Sequence, residues 1–276
     1  MTDHLSDPPM LSIVIPAYNE ERRLPRTLAD ITAWVAQRGE PIEVIVAENA
    51  STDHTADVVR TFQRDHPFVH LIEGLPKGKG IAVRAGMLAA RGRWRFLCDA
   101  DLSMPVAELG KFLGPPAPVA MANLNRLDAR NVAIGSREAP GARRFNEPAY
   151  RHLMGRVYNA VVQLLALPGL HDTQCGFKMF PAEVAEDVFR LATLKGWGFD
   201  PEVLFIARKR GYTISEVPID WYYTSDSRVR PVHDTLQMLR DLVVIRLNDW
   251  RGVYNRTLPL PGARETVPGT GAGEEG

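Results

Sequence analysis

The chain has 276 residues, 45% of them hydrophobic and 24% charged, and its 33 basic side chains balance 33 acidic ones. That composition is soluble and globular, with length for one large domain or two small ones, and the zero net charge removes the electrostatic basis for a nucleic-acid partner. Two cysteines, Cys98 and Cys175, exclude a disulfide framework and fit free thiols in a reducing cytoplasm.

No apolar stretch reaches the ~18–20 residues of a spanning helix, and the start, MTDHLSDPPM, lacks the basic-then-apolar layout of a signal peptide. Residues 1–9 are expected to be flexible. The stretch 256–276, rich in Gly, Pro and Glu, reads as a disordered tail. An ordered body of 10–255 remains.

LSIVIP (11–16) is a short β-branched run ended by a proline, a buried strand. From Glu20 to Arg38, apolar residues at Leu24, Leu28, Ile31 and Val35 form a helical stripe. IEVIVA (42–47) predicts the next strand, and Ser51-Thr52-Asp53 opens a helix running to Phe62. VHLIEG (69–74) is a third strand, Lys79 to Ala90 a third helix, RWRFLC (93–98) a fourth strand and NVAIGS (131–136) a fifth. The second half carries helical patterns at 149–166, 182–192, 201–210 and 233–250, with short strands near 177–180 and 213–222. Strands alternating with helices imply a parallel, doubly wound sheet, in which ligands collect outside the carboxyl ends of the strands. By that rule Tyr18, Asn49, Asp53, Asp99, Asp101 and Arg137 share one rim.

FLCDADLS (96–103) ends the fourth strand with two aspartates. On an extended segment, residues i and i+2 face one side, so both carboxylates can meet one ligand. Two hard oxygen anions suit Mg²⁺ or Mn²⁺ completed by phosphate oxygens. Two other readings stay open: an aspartyl nucleophile of the phosphatase kind, and a capped strand end. Glu20 and Glu21 complement a helix amino terminus without any ligand, and Ser51 or Asp53 can cap the helix that follows. In PKGKGIAVRAG (76–86), Lys79 and Arg84 can meet phosphates or lie on a solvated helix face.

Taken together, strand-PAYNEE, strand-ENASTD, GKGIAVRAG and FLCDAD, in that order, resemble the catalytic domain of glycosyltransferase family 2. IGSR (134–137), HDTQCGFKMF (171–180), WGFDPEVL (197–204) and ISEVPIDWYY (214–223) are similar to the branch that moves a sugar from a nucleotide to dolichyl or another polyprenyl phosphate. The resemblance spans about residues 10–250. It implies a GT-A fold: an α/β/α sandwich around a mostly parallel sheet, with 10–137 binding the nucleotide-sugar and 138–255 the acceptor. It implies that Pro16, Ala17, Tyr18 and Glu20 border the base and ribose, with Asp53 on the base and Asn49 and Ser51 beside it. Asp99 and Asp101, with Ala100 between them, would hold Mg²⁺ or Mn²⁺ against the donor diphosphate. Polyprenyl-phosphate mannosyltransferases often carry Gln two residues further on, where this chain has Ser103.

Asp172 and Gln174 match positions that meet the donor sugar, and Asp200 and Glu202 an acidic position that closes the site. Arg137, Lys178 and Arg228 are candidates for the acceptor phosphate, the first two with catalytic weight. The activity implied is metal-dependent, inverting transfer, with UDP-glucose the first choice of donor. GDP-mannose, a UDP-N-acetylhexosamine, a soluble acceptor and a non-catalytic nucleotide-sugar binder are the alternatives. A lipid acceptor calls for membrane contact. Tyr150 to Leu167 and Leu236 to Leu247 are apolar helices with interspersed arginines, able either to lie in a headgroup layer or to pack in the core. The expected location is cytoplasmic, peripheral on the membrane's cytoplasmic face.

Overall fold

The computed structural model describes residues 8–113, 128–224 and 231–256, the side chains of 231–234 excepted. Arg228, nearly all of the expected N-terminal segment and all of the expected tail but Arg256 lie outside the described residues.

The strands are β1 (Leu11–Ala17), β2 (Ile42–Asn49), β3 (Val69–Leu75), β4 (Trp94–Leu97), β5 (Asn131–Ser136), β6 (Arg143–Phe145), β7 (Lys178–Pro181), β8 (Thr213–Pro218) and β9 (Asp220–Tyr222). The helices are α1 (Leu24–Arg38), α2 (Thr55–Asp65), α3 (Lys79–Ala89), the one-turn α4 (Gly110–Leu113), α5 (Ala149–Leu165), α6 (Ala182–Leu191), α7 (Phe199–Lys209) and α8 (Pro231–Trp250). Helix α1 begins later than its stripe suggests. Residues 20–23 form a turn instead, with the Glu20 carboxylate clasping the Arg23 guanidinium at 2.7 Å.

Seven strands form one sheet in the order β3-β2-β1-β4-β7-β5-β8. Every residue of β1 and β2 is buried, as near-continuous apolar runs require when helices cover both faces. Alternate side chains point to opposite layers. Ile13, Ile15, Val44, Val46 and Phe96 join one core with Leu24, Leu28 and Ile31 of α1 and Val59 of α2. Val14, Ile45 and Leu97 join the other with Val83 and Met87 of α3, Val188 of α6, Val203 of α7 and Leu242 of α8.

The sheet is parallel except for β7, which runs antiparallel between β4 and β5. The chain builds outward from β1 through β2 to β3, then returns to place β4 on the other side of β1. The crevice for a ligand therefore opens between the carboxyl ends of β1 and β4. A separate two-stranded ribbon pairs β9, within the expected 213–222 strand region, with β6, which escaped the sequence reading because RRF is too short and too polar to show a period. None of the described helices is long and apolar enough to cross a membrane.

The opposite end of the sheet is closed by Glu43. Its carboxylate accepts hydrogen bonds from Ser12 Oγ (2.6 Å), Arg91 N (2.7 Å) and Arg91 Nε (3.1 Å). Burial alone would raise this carboxyl, but those donors outweigh it and hold the pKa below the ordinary 4.5. A depressed folded-state pKa contributes stability that is present above pH 4.5 and lost as pH falls through the folded value. Urea midpoints measured from pH 3 to 7 should therefore show a steeper acid loss in the native chain than in Glu43→Gln, and equal slopes would refute the role given to this carboxylate.

Candidate active site

At the carboxyl rim lies a cleft of about 950 Å³, the size of a pocket that takes a sizeable ligand. Its walls include Pro16 at the end of β1, Tyr18 and Glu20 after it, Asn49 at the end of β2, and Asp99, Ala100 and Asp101 after β4. Arg137 after β5 and Asp172 and Gln174 before β7 close the far side. Residues far apart in sequence meet here because the strand ends bring them to one edge. The antiparallel course of β7 delivers the loop HDTQCGF to the same edge.

The two aspartates sit in a turn rather than on an extended strand. Asp99 Oδ1 lies 2.7 Å from Lys79 Nζ. Asp101 Oδ1 accepts the backbone N–H of Ser103 at 3.0 Å, and its second oxygen has no partner among the described residues. Gly176 backs the pair: a Cβ there would overlap the Asp99 carboxylate. The described residues hold no cluster of three metal-ligating side chains. Two carboxylates open to the cleft still suit a divalent cation that takes its remaining oxygens from a diphosphate and water. Asp99 and Asp101 are the residues that would hold it.

Lys79 is the cation of this floor, lying over the ring of Trp197 at 4.8 Å. Burial disfavours its charge, but Asp99 and Asp200 overcome that and raise its pKa. On the far side Arg137 grips Asp172 through Nε (2.7 Å) and Nη2 (2.8 Å), while its backbone N–H donates to the same carboxylate at 2.9 Å. Burial pushes Asp172 up and Arg137 pulls it below its usual range. Asp172 therefore orients Arg137, which is a more direct task than a sugar contact.

Several expected residues stand elsewhere. Lys178 starts β7 opposite Leu97 and Ile134, and direct cross-strand neighbours share a face. Its side chain therefore enters the core, fully buried, and its ammonium is bound by Asp200 and the Cys175 carbonyl. It is not available to an acceptor phosphate. Arg84 points away from the cleft and donates to the Phe189 carbonyl at 2.8 Å. Ser51 and Asp53 lie behind the cleft wall, where Ser51 Oγ accepts from Asn19 N–H (2.9 Å) and Asp53 accepts from Glu21 N–H (3.2 Å) and Thr55 N–H (3.0 Å). They shape the Tyr18–Glu21 loop, as capping residues do. Ala17 is buried in β1 beneath that loop. Glu202 is buried too, accepting from Thr193 N–H (3.0 Å) and Leu194 N–H (2.8 Å) and so anchoring the strap that carries Trp197.

The cleft also contains residues the motifs did not flag. Arg151, one turn into α5, lies over the Tyr223 ring at 5.3 Å and has no carboxylate partner among the described residues. Arg144 pairs with Glu138 and Glu147. Two polar atoms facing this space, Gln174 Nε2 and Tyr158 Oη, are buried without a hydrogen-bond partner. Such groups are rare unless a ligand or water completes them. Amphipathic spacing on α5 was the only sequence signal for Arg151 and Tyr158. The two thiols beneath the floor are inert: burial raises Cys98 well above its ordinary value and Cys175 up to about 12.

A mostly parallel α/β/α sheet with paired carboxylates at the switch point is a GT-A nucleotide-sugar transferase framework. The family model for glycosyl transferase family 2 matches residues 12–189, and the chain belongs to that family. Among curated proteins it is similar to the dolichyl-phosphate β-glucosyltransferases of Drosophila melanogaster (36% identity; 87% of this chain, 76% of that one) and Homo sapiens (32%; 88% and 77%). Among solved structures, glucosyl-3-phosphoglycerate synthase from Mycobacterium tuberculosis in complex with UDP shares the fold, with a TM-score of 0.59 at 19% identity over 87% of this chain and 79% of that one. The same enzyme has been solved with Mn²⁺, UDP-glucose and glycerol 3-phosphate, again at TM-score 0.59, with 17% identity and the same coverage of both chains.

Two outcomes follow from this geometry. Gly176→Ala should displace Asp99 and lower kcat/KM about a hundredfold, the cost of a misplacement on the order of 1 Å, with little change in melting temperature; unchanged turnover would detach Asp99 from the chemistry. Lys178→Met should leave the Asp200 carboxylate buried without its hydrogen-bonded ammonium, with only Lys79 nearby, destabilising the fold by about 3 kcal/mol. Asp200→Asn in the same chain should recover most of that loss in thermal unfolding. A Lys178→Met protein of native stability would contradict the structural role.

Proposed function

We propose that the protein is a metal-dependent, inverting hexosyltransferase that moves glucose from UDP-glucose to a polyprenyl (dolichyl-type) phosphate. The observation that carries this reading is one cleft lined both by the carboxylates Asp99 and Asp101 and by the guanidinium groups of Arg137, paired with Asp172, and Arg151. The donor's base and ribose lie by Tyr18 and Asn49, its diphosphate by Asp99, Ala100 and Asp101, and its sugar by Gln174, whose unpartnered amide suits a hydroxyl. Arg137, held rigid by Asp172, and Arg151, held by stacking alone, grip the acceptor phosphate. Similarity to dolichyl-phosphate β-glucosyltransferases supports the choice of sugar and acceptor.

In the reaction an acceptor phosphate oxygen bonds to the sugar's C1 as the bond from C1 to the donor's β-phosphate oxygen breaks, with inversion. A phosphate is already ionised at neutral pH, so no strong base is needed, and alignment of two anions is the main task. Lys79 orients Asp99 through their 2.7 Å ion pair. A divalent cation, Mg²⁺ or Mn²⁺, supplies neutralisation of the charge that develops on the leaving diphosphate.

The test is purified protein with Mg²⁺ or Mn²⁺, a panel of nucleotide sugars, and two acceptors: a short polyprenyl phosphate and 3-phosphoglycerate. Lipid-linked glucose should form from UDP-glucose, stop with EDTA, and fall about a hundredfold or more in Asp101→Asn. Transfer to 3-phosphoglycerate alone, or full activity in Asp101→Asn, would overturn the reading.

A further inference from the structure

The exposed large apolar side chains among the described residues are not scattered. Six lie on α5: Tyr150, Leu153, Met154, Val157, Leu164 and Leu165, with Leu164 84% exposed. Four more lie on α8, namely Leu236, Val243, Leu247 and Trp250, with Trp250 86% exposed. Tyr222 is the remaining one. On each helix the spacing is that of one stripe, i, i+3, i+4, i+7 on α5 and i, i+7, i+11, i+14 on α8, covering about a third of the circumference. The opposite faces are in use, since Tyr158 and Val162 of α5 and Met238, Leu242 and Ile245 of α8 lie in the core. Two neighbouring helices thus bury one face each and leave an apolar one uncovered, which marks an interaction surface.

Charge and position decide what fits that surface. Helix α5 contains Arg151 and Arg156 and no acidic residue. On α8 exposed Arg240 and Arg246 flank the stripe. Asp241 is buried, Asp249 is shared between Lys209 and Arg246 (3.7 Å from the latter), and the Asp234 side chain lies outside the described residues. On α5 Arg156 is paired with Glu138 at 3.1 Å. The cleft itself opens between these helices, with Met154 and Tyr158 on one lip and Gln237 and Met238 on the other.

We infer that α5 and α8 form a monotopic docking face that lies in the headgroup layer of an anionic lipid bilayer, setting the mouth of the cleft at the membrane surface. The apolar stripes enter the acyl boundary and the arginines stay among the lipid phosphates, the arrangement of interfacial amphipathic helices. Where the acceptor is a polyprenyl phosphate, a point that rests on the proposed function, its phosphate reaches Arg151 directly from the headgroup layer while its chain stays in the membrane.

The test uses the full chain and vesicles containing no polyprenyl phosphate. The native protein should co-sediment with phosphatidylcholine vesicles containing 30% phosphatidylglycerol, at least about tenfold more tightly than with pure phosphatidylcholine. The double substitution Val157→Asp with Leu164→Asp should weaken that binding about tenfold or more, and so, separately, should Trp250→Ser, with circular dichroism and melting temperature unchanged. Transfer to a water-soluble two-isoprene phosphate without vesicles should stay native in both variants, while transfer to a long-chain acceptor embedded in vesicles falls. Native protein that stays in the supernatant, or variants that sediment like it, would overturn the docking face. A native dimer in light scattering that these variants dissolve would do so too, by showing that a second copy covers it. Sedimentation as expected, without transfer to either phosphate, would uphold the face and sink the proposed acceptor.

Discussion

Four charges of alternating sign run from the floor of the cleft into the core: Asp99, Lys79, Asp200 and Lys178. Each carboxylate lies beside an ammonium, and the four sum to zero. Burying isolated charges would cost several kcal/mol apiece, so each member is tolerable only because its neighbour is present. Burial lifts the Asp200 carboxyl against the pull of Lys178 and Lys79. Asp99 is thus joined to the hydrophobic interior by electrostatics as well as by the backbone. The central strand β7, the amino end of α7 and the glycine-rich entrance of α3 converge at this row.

The first half of the fold was legible because local signals there agree with the tertiary outcome. LSIVIPA and IEVIVAEN are mostly apolar and buried throughout since they are covered on both faces, and the helices after them carry apolar stripes. The rim rule then brought Tyr18, Asn49, Asp99, Asp101 and Arg137 to one cleft without any knowledge of contacts. The resemblance misplaced Lys178, because a lysine at the start of a short strand reads as exposed unless one knows that the strand is inserted, antiparallel, in the middle of the sheet. The resemblance for Ser51, and both it and the rim rule for Asp53, failed for a different reason. Their positions are right, but their oxygens are consumed in bracing the neighbouring loop. Arg151 was seen only as a charge on an amphipathic helix, and its place at the cleft depends on how α5 packs, which no local pattern encodes.

The two ends of the sheet divide the work. At the amino end Glu43 gathers donors from β1 and the turn before β4, so its carboxylate is spent on holding strands together. At the carboxyl end Gln174 and Tyr158 keep polar atoms unpaired and Asp101 keeps an oxygen open. Such groups detract from stability and are retained where a ligand completes them.

The two cysteines give the chain a chemical property of practical use. Cys98 and Cys175 are the only thiols in the sequence, and both are buried and held protonated, Cys175 beside the Met104 sulfur at 3.4 Å. Thiolate is the reactive form, so both thiols are expected to react slowly with alkylating probes in the folded protein. A single cysteine introduced at an exposed position therefore becomes a unique attachment point for a spin label or fluorophore. The molecule needs no background mutations before its orientation and distances in solution can be measured.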